Sequence, residues 1–364
     1  MNNKIKVGIT HGDINGVGYE VILKTFTNED MLSLCTPVVF GSPKAMTYHR
    51  KALELDVNFN VVESLENVRD NQLNVLNCFG EEELKIDLGK PTPEAGQAAL
   101  SSLSSAVEAL KAGKIDVLVT APINKNTIQS EEFHFVGHTE FIEEKAGEGC
   151  KSLMILMTDR IRVALVTTHL PVSKIAESIT EERIAEKLLI LNETLKRDFA
   201  IDNPRIAVLS LNPHCGDGGL LGTEEQTIIS PLIEKAFKKG IRCFGPYAAD
   251  GFFGSGNYAR FDAILAMYHD QGLAPFKALA MDEGVNYTAG LPVVRTSPAH
   301  GTAYDIAGKN LADEASFRQA VYSAIDVFRN RQAYDKAHAH PLRKQYYDKR
   351  DDSDKLKLDQ ASAE

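Results

Sequence analysis

Short apolar runs rich in β-branched residues alternate with helix-patterned segments through most of this 364-residue chain. That alternation restricts the fold to the α/β class, a parallel sheet covered by helices, because each half-apolar element must bury its face against another. Strands are expected over 6–10, 37–40, 115–120, 153–157, 162–168, 205–211 and 262–267. Ile184, Leu188, Leu191 and Leu195 recur at helical spacing, and Ser178 and Glu181 stand as a capping box, so a helix is expected over 181–199. Further helices are expected over 93–111 and 224–239. The length exceeds one compact core and points to two domains, or to one large unit with a lobe.

Three of these strands are followed closely by histidine: His169 after RVALVTT, His214 after RIAVLSLNP and His269 after FDAILAMY. Parallel strands of one sheet share a carboxyl edge, where open α/β sheets place their ligands, so the three imidazoles are expected to converge. Three neutral imidazoles and a vacant position make an open catalytic metal site. A lone strand-end histidine is more often a hydrogen-bonded loop residue. The repetition, in the unusual loops NPHCGDGG and YHDQG, favours a shared ligand role.

The formal net charge is -10 and the lysines and arginines form no basic stripe, which argues against nucleic acid as the main partner. Five cysteines, odd in number and without C-x-x-C spacing, indicate neither a disulfide framework nor a zinc knuckle. Cys215 beside His214 reads as a small buried thiol. The opening MNNKIKVGITHGD runs into a strand with no apolar stretch of signal-peptide or membrane-span length, so a cytoplasmic protein without a membrane partner is expected. The stretch after Arg331 is polar and mixed in charge, and is expected to be a peripheral helix or a mobile tail whose His338 and His340 are solvated.

The glycine-rich loops HGDINGVGYE and CGDGGLLGTEE each lie between a strand and a helix but miss the G-x-G-x-x-G spacing, so no Rossmann nucleotide domain is indicated. A third loop, HGTAYDIAG from His300 to Gly308, resembles the HGTAPDIAG-type loop of the isocitrate and isopropylmalate dehydrogenases, which bind NAD or NADP without such a domain. Tyr304 replaces the proline of that loop. The likeness makes Gly301, Thr302 and Asp305 the expected cofactor-binding residues.

Taken together, GITHGDINGVGYE, VTAPINK, GHTEF, LVTTHLPV, LNPHCGDGG, YHDQGLAPFK and NYTAGLPVVRTSPAHGTAYDIAGK, within residues 7–313, resemble the 4-hydroxythreonine-4-phosphate dehydrogenase family of pyridoxal phosphate biosynthesis. Ile14 and Tyr19 stand where that family usually has prolines, Cys215 where it has alanine, and the C-terminal tail is longer than usual. The resemblance implies an isocitrate/isopropylmalate dehydrogenase-like fold, two α/β domains flanking an active-site cleft. The first would comprise 1–130 with about 305–335, the second 131–304, and 336–364 would be a polar extension. It also implies a homodimer whose active site draws residues from both subunits, and a divalent metal (Zn, Mg or Co) held by His169, His214 and His269. His138, Thr139, Lys277, Asn286 and Arg295 would bind substrate, and Lys277 is in addition a candidate catalytic base.

The side-chain chemistry agrees with these roles: Lys277 and Arg295 supply positive charge for a phosphate or carboxylate, and Asn286, His138 and Thr139 add donors. Asp250 and Asp270 could orient ligand imidazoles or cap helices. The implied reaction is NAD(P)-dependent oxidation of 4-phosphooxy-L-threonine at C3, followed by decarboxylation to 3-amino-2-oxopropyl phosphate. Two alternatives stand beside it: a dehydrogenase of threonate or erythronate 4-phosphate, and a three-histidine metal-dependent hydrolase.

Overall fold

Twelve strands form one continuous sheet in the computed structural model, which describes residues 4–79, 84–130 and 133–340. In chain order they are β1 (Ile5–Thr10), β2 (Cys35–Gly41), β3 (Phe59–Val62), β4 (Leu73–Asn77), β5 (Val117–Thr120) and β6 (Leu153–Met157). The remainder are β7 (Arg162–Leu165), β8 (Ile206–Leu209), β9 (Cys243–Tyr247), β10 (Ala263–Ala266), β11 (Val285–Ala289) and β12 (Arg295–Pro298). Across the sheet the order is β3-β4-β2-β1-β5-β12-β11-β6-β7-β10-β8-β9.

The sheet is not uniformly parallel, which corrects the sequence expectation. One block, β3 to β12, is parallel throughout, and so is the other, β7-β10-β8-β9. Between them β11 is antiparallel to both β12 and β6, and β6 is antiparallel to β7. Three reversals separate the blocks, so they run in opposite directions. The β6–β7 pair is a hairpin, closed where the Thr158 amide donates to the Ile161 carbonyl at 2.9 Å. Both hairpin strands are continuous apolar runs, and such runs mark burial on both faces without revealing strand direction.

All seven expected strands are present, and five more were missed. β11 (VNYTA) and β12 (RTSP) carry polar residues into the middle of the sheet, β9 (CFGPY) is broken by Gly-Pro, and β3 is a half-exposed edge. The helix Pro93–Lys111 has the expected bounds, with Thr92 capping the Ala95 amide. The helix expected over 181–199 spans Glu181–Arg197, but its cap is Thr180, whose hydroxyl accepts from the Arg183 amide, because Ser178 ends a separate short helix. The helix expected over 224–239 begins as a π-helical turn, Glu225–Ile229, and continues as Ser230–Lys238.

As far as His338 the stretch after Arg331 is a largely exposed helix, one of the two outcomes expected. A single helix, Ala315–His338, runs through Arg331 and lies against β12, β5 and β11. Arg331 is buried, its Nε donating to Asp198 Oδ1 at 2.6 Å and its Nη2 to the Tyr287 hydroxyl at 2.9 Å. A fully paired arginine is an interior residue despite its charge. His338 Nδ1 donates to the Tyr334 carbonyl at 2.7 Å, in keeping with its expected exclusion from the site, and residues 341–364 lie outside the described part. All five cysteines are free.

Candidate active site

The strands that precede the three histidines are neighbours, in the order β7-β10-β8, and they are mutually parallel. His169, His214 and His269 therefore do leave one edge of the sheet. Only two of them meet. His269 opens the helix His269–Ala280, its ring 6.3 Å from that of His169. His214 is exposed and lies outside the cleft that the other two line.

The reason is local backbone. After β8 the chain passes Pro213 and enters a left-handed turn in which His214, Cys215, Gly216, Asp217 and Gly218 have φ of 53°, 52°, 77°, 43° and 67°. Three of these five are not glycine, and each such residue costs about 1–2 kcal/mol in the left-handed region. The turn leaves His214 exposed and outside the lining of the chain's own cleft. Among the described residues no three His, Cys, Asp or Glu side chains are grouped closely enough to hold an ion.

The cleft, of about 230 Å³, lies over the face of the sheet at the reversal. Strand register builds its floor. Leu156, Asn286 and Ser297 are side by side on β6, β11 and β12, and continuing the β12–β5 pairing by one residue adds Thr120. Two residues along each strand, Met154 faces Thr288, and Arg295 faces Leu118. Side chains two apart share a face, so both rows look into the cleft or support it.

Arg295 is 2% exposed, and its bonds go to two hydroxyls: Nε and Nη2 donate to Thr120 Oγ1 at 3.1 and 2.6 Å, and Nη1 to Thr288 Oγ1 at 3.1 Å. Burial pushes its pKa down to about 9. A buried cation without a bonded carboxylate is destabilising until an anion joins it.

Over this floor sits the start of the helix His138–Ala146. Burial, with Arg295 and Lys125 nearby, holds the His138 ring well below its ordinary pKa, so it is neutral. Thr139 Oγ1 is 3.5 Å from Thr288 Oγ1. Glu140 Oε1 is 3.0 Å from His169 Nδ1. Burial would raise the Glu140 carboxyl, but the hydrogen bond from His169 and the nearby Lys125 charge outweigh it and leave its pKa lowered.

On the opposite wall, Asp270 Oδ1 stands 2.7 Å from His269 Nδ1. Both cleft histidines thus have Nδ1 tied to a carboxylate, which fixes the tautomer with the proton on Nδ1 and the lone pair on Nε2; that of His169 faces Lys125 Nζ at 3.4 Å. Leu273 and Lys277 follow His269 at i+4 and i+8 on the same helix, and both line the cleft.

Sequence reasoning missed Glu140, although it lies within the GHTEF stretch, and missed Lys125, whose Nζ is 3.4 Å from His169 Nε2. It also missed Thr120, Thr288 and Ser297, which become site residues only through strand register, and His300, which lines the cleft from the loop after β12. Asp270 orients an imidazole as expected; Asp250 makes no described bond to a histidine. Several buried polar atoms without partners collect at this site: His138 Nε2, Glu140 Oε2, Asn286 Oδ1 and His300 Nε2. Buried polar atoms are ordinarily satisfied, so the cluster marks a ligand's place. A larger groove of about 730 Å³, lined by Lys4, Lys6, Lys114 and Asp116, carries none of the histidines.

Of the expected cofactor residues, Gly301 lines the cleft, whereas Thr302 and Asp305 do not. Thr302 instead faces the loop after β1: its carbonyl accepts from the Val17 amide at 3.0 Å. The Tyr304 hydroxyl donates to Asp13 Oδ2 at 2.8 Å. The loop is therefore fastened to β1 rather than free beside the histidines.

A profile of the pyridoxal phosphate biosynthetic protein PdxA family matches residues 33–324. The chain is 68% identical over 98% of its length to a 4-hydroxythreonine-4-phosphate dehydrogenase of Bacteroides thetaiotaomicron, covering 98% of that protein. It is 39% identical over 90% of its length to an Oceanobacillus iheyensis protein assigned provisionally as a D-threonate 4-phosphate dehydrogenase, covering 99% of it. The fold matches a crystal structure of 4-hydroxythreonine-4-phosphate dehydrogenase from Klebsiella pneumoniae with a TM-score of 0.76, at 29% identity, covering 90% of this chain and 99% of that one.

Proposed function

The chain belongs to the pyridoxal phosphate biosynthetic protein PdxA family, and on that premise we propose that it oxidises 4-phosphooxy-L-threonine at C3 with NAD+ or NADP+ and releases CO2 to form 3-amino-2-oxopropyl phosphate. It is a dehydrogenase. Membership in a dehydrogenase family displaces the hydrolase alternative. The observation that carries the substrate reading is Arg295, a buried cation bonded only to hydroxyls on the floor of the cleft. A substrate bearing both phosphate and carboxylate supplies the missing anion.

Arg295 and Lys277 bind and orient the anionic substrate, with His138, Thr139 and Asn286 completing the hydrogen bonds. Neutral His138 can donate or accept without adding charge. A bound nicotinamide would supply the acceptor for the C3 hydride, and the hydroxyl proton goes to a base. Lys277 is one candidate base from sequence. Lys125, beside His169, is a second amine within reach of the same region. The loop from His300 to Gly308 remains the proposed nicotinamide-cofactor element, with Gly301 at the cleft and Thr302 and Asp305 behind it.

The donor chemistry of the cleft fits a divalent metal. His169 and His269 present Nε2 atoms backed by Glu140 and Asp270, and His214 is the remaining imidazole. When bound, the ion supplies Lewis-acid stabilisation of negative charge on the C3 oxygen, during oxidation and again as CO2 leaves. Imidazole donors suit Zn or Co better than Mg, which prefers oxygen ligands. Because His214 is exposed and outside its own cleft, the proposed ligand set is completed by His214 of a second copy. Leu220 and Leu221, exposed at 79% and 45% beside this turn, supply apolar area for such a homodimer. No described helix is long and apolar enough to cross a membrane, and a cytoplasmic site of action is proposed.

The test is to follow NAD(P)H and CO2 formation from 4-phosphooxy-L-threonine and, in parallel, from D-threonate 4-phosphate. The second substrate is favoured by the Oceanobacillus iheyensis relative and differs at C2, where oxygen replaces nitrogen. Turnover of the amino acid with both products supports the first reading. Turnover of the sugar acid alone replaces it.

A further inference from the structure

Glu225 is a buried carboxylate, 2% exposed, that takes no part in the cleft. Its Oε1 accepts the amides of Leu211 and Asn212 at 2.8 and 2.7 Å, and its Oε2 accepts Asn212 Nδ2 at 3.0 Å. Asn212 Nδ2 also donates to Glu224 Oε2 at 2.7 Å. These bonds seize the chain immediately after β8, two residues before His214. The same carboxylate lies against Gly216, at the centre of the left-handed turn, where a β-carbon would stand 2.8 Å from Glu225 Oε2. The turn closes where the Leu221 amide donates to the Gly216 carbonyl at 3.0 Å. Glu225 also begins the π-helical turn Glu225–Ile229, a rare geometry that often accompanies functional sites.

We propose that Glu225 is a positioning residue for His214: it holds the strained turn that projects the imidazole out of its own chain, ready to complete the metal site of a second copy. The proposal rests on the metal reading given above. An unheld run of non-glycine residues in the left-handed region relaxes to ordinary backbone, and the imidazole moves with it.

The bonding pattern makes the role specific. Every partner of Glu225 is a donor. A glutamine that keeps its oxygen toward the two amides turns its NH2 toward Asn212 Nδ2, donor against donor. Asn212 cannot answer by rotating its amide, because its oxygen would then face the Glu224 carboxylate. Glu225→Gln should therefore fail despite its similar shape. Adding Glu224→Gln lets the Asn212 amide rotate and accept from both new NH2 groups, so the double variant should recover.

The experiment titrates Co2+ into the metal-free full-length protein for the parent, E225Q, E224Q/E225Q and H214A, with thermal unfolding of each metal-free protein. The expected result is a ten- to hundredfold weaker Co2+ affinity in E225Q, the range typical for residues that orient ligands, with an unfolding temperature close to the parent's and recovery in the double variant. Parental affinity in E225Q beside weakened H214A overturns the positioning role and leaves the metal reading standing. Parental affinity in H214A overturns the metal reading, and this proposal with it. A loss in E225Q that the double variant does not recover, or that tracks a large fall in unfolding temperature, shows Glu225 to be merely structural and overturns the proposal.

Discussion

The Tyr304 hydroxyl donates to Asp13 Oδ2 at 2.8 Å, joining the loop after β12 to the loop after β1. Burial raises the Asp13 pKa, and the bonds from Tyr304 and the Asn15 amide partly offset that rise. Tyr304→Phe removes the stronger donor from a buried carboxylate. The expected cost is about 1–3 kcal/mol of stability at neutral pH, with a raised KM for the nicotinamide cofactor and a smaller change in kcat. Because the folded-state pKa of Asp13 is raised, protonation relieves the unpaired charge, so the difference between variant and parent should shrink as pH falls through that pKa. Denaturant unfolding of both proteins across acidic pH checks the sign.

Arg295→Met should lower kcat/KM for the phosphorylated substrate by about a hundredfold or more, since it removes a buried charge-assisted partner. The variant should also discriminate less between phosphorylated and unphosphorylated threonine derivatives. Steady-state kinetics with the two substrates decide this, and a variant that discriminates as well as its parent would sink the anion assignment.

Mixing inactive His169→Ala and His214→Ala proteins should restore activity if His214 acts across the dimer. In a mixed dimer one site combines both defects and the other none, so random reassortment returns about one quarter of parental activity. A site confined to one chain returns none. Activity after co-refolding, with native mass to confirm the dimer, is the measurement.

Stability should fall in mild acid because of two buried rings that are not among the cleft's lining residues. Burial pushes His11 down to about 3 and His49 to about 4, from an ordinary 6.5. At neutral pH both folded and unfolded states hold them uncharged. Below about 6.5 the unfolded chain takes up protons that the native state refuses, so each ring removes about 1.4 kcal/mol per pH unit until its native pKa is reached. Denaturant midpoints at about pH 7 and about pH 5 should separate clearly, and a His11→Gln/His49→Gln variant should show a shallower dependence.

The histidines show how far a sequence carries such a reading. That His169, His214 and His269 follow parallel strands was legible, because apolar runs announce strands and the strands are adjacent in the sheet. That His214 lies outside the cleft was not, because His, Asp and Gly allow a left-handed turn here without fixing how many successive residues adopt it. Arg295 was recognisable as an anion-binding candidate, yet its burial depends on β11 and β12, whose polar residues hid them as strands. Glu140 and Lys125 sat inside recognisable stretches but gain meaning only from proximity to His169. Arg331 carried no sign of its role in the sequence, because its burial rests on pairing with Asp198 and Tyr287 far away in the chain.

The sheet reversal divides the cleft into a part that resists change and a part that accepts it. Thr120, Met154, Leu156, Asn286, Arg295 and Ser297 project from strands hydrogen-bonded on both sides, so replacing them disturbs neighbouring strands as well as the ligand. His138, His169, His269 and Lys277 stand on loops and helix faces above that platform. Laboratory evolution toward a new phosphorylated acid should therefore accumulate its early successful substitutions on the upper wall, keeping the platform that grips the anion.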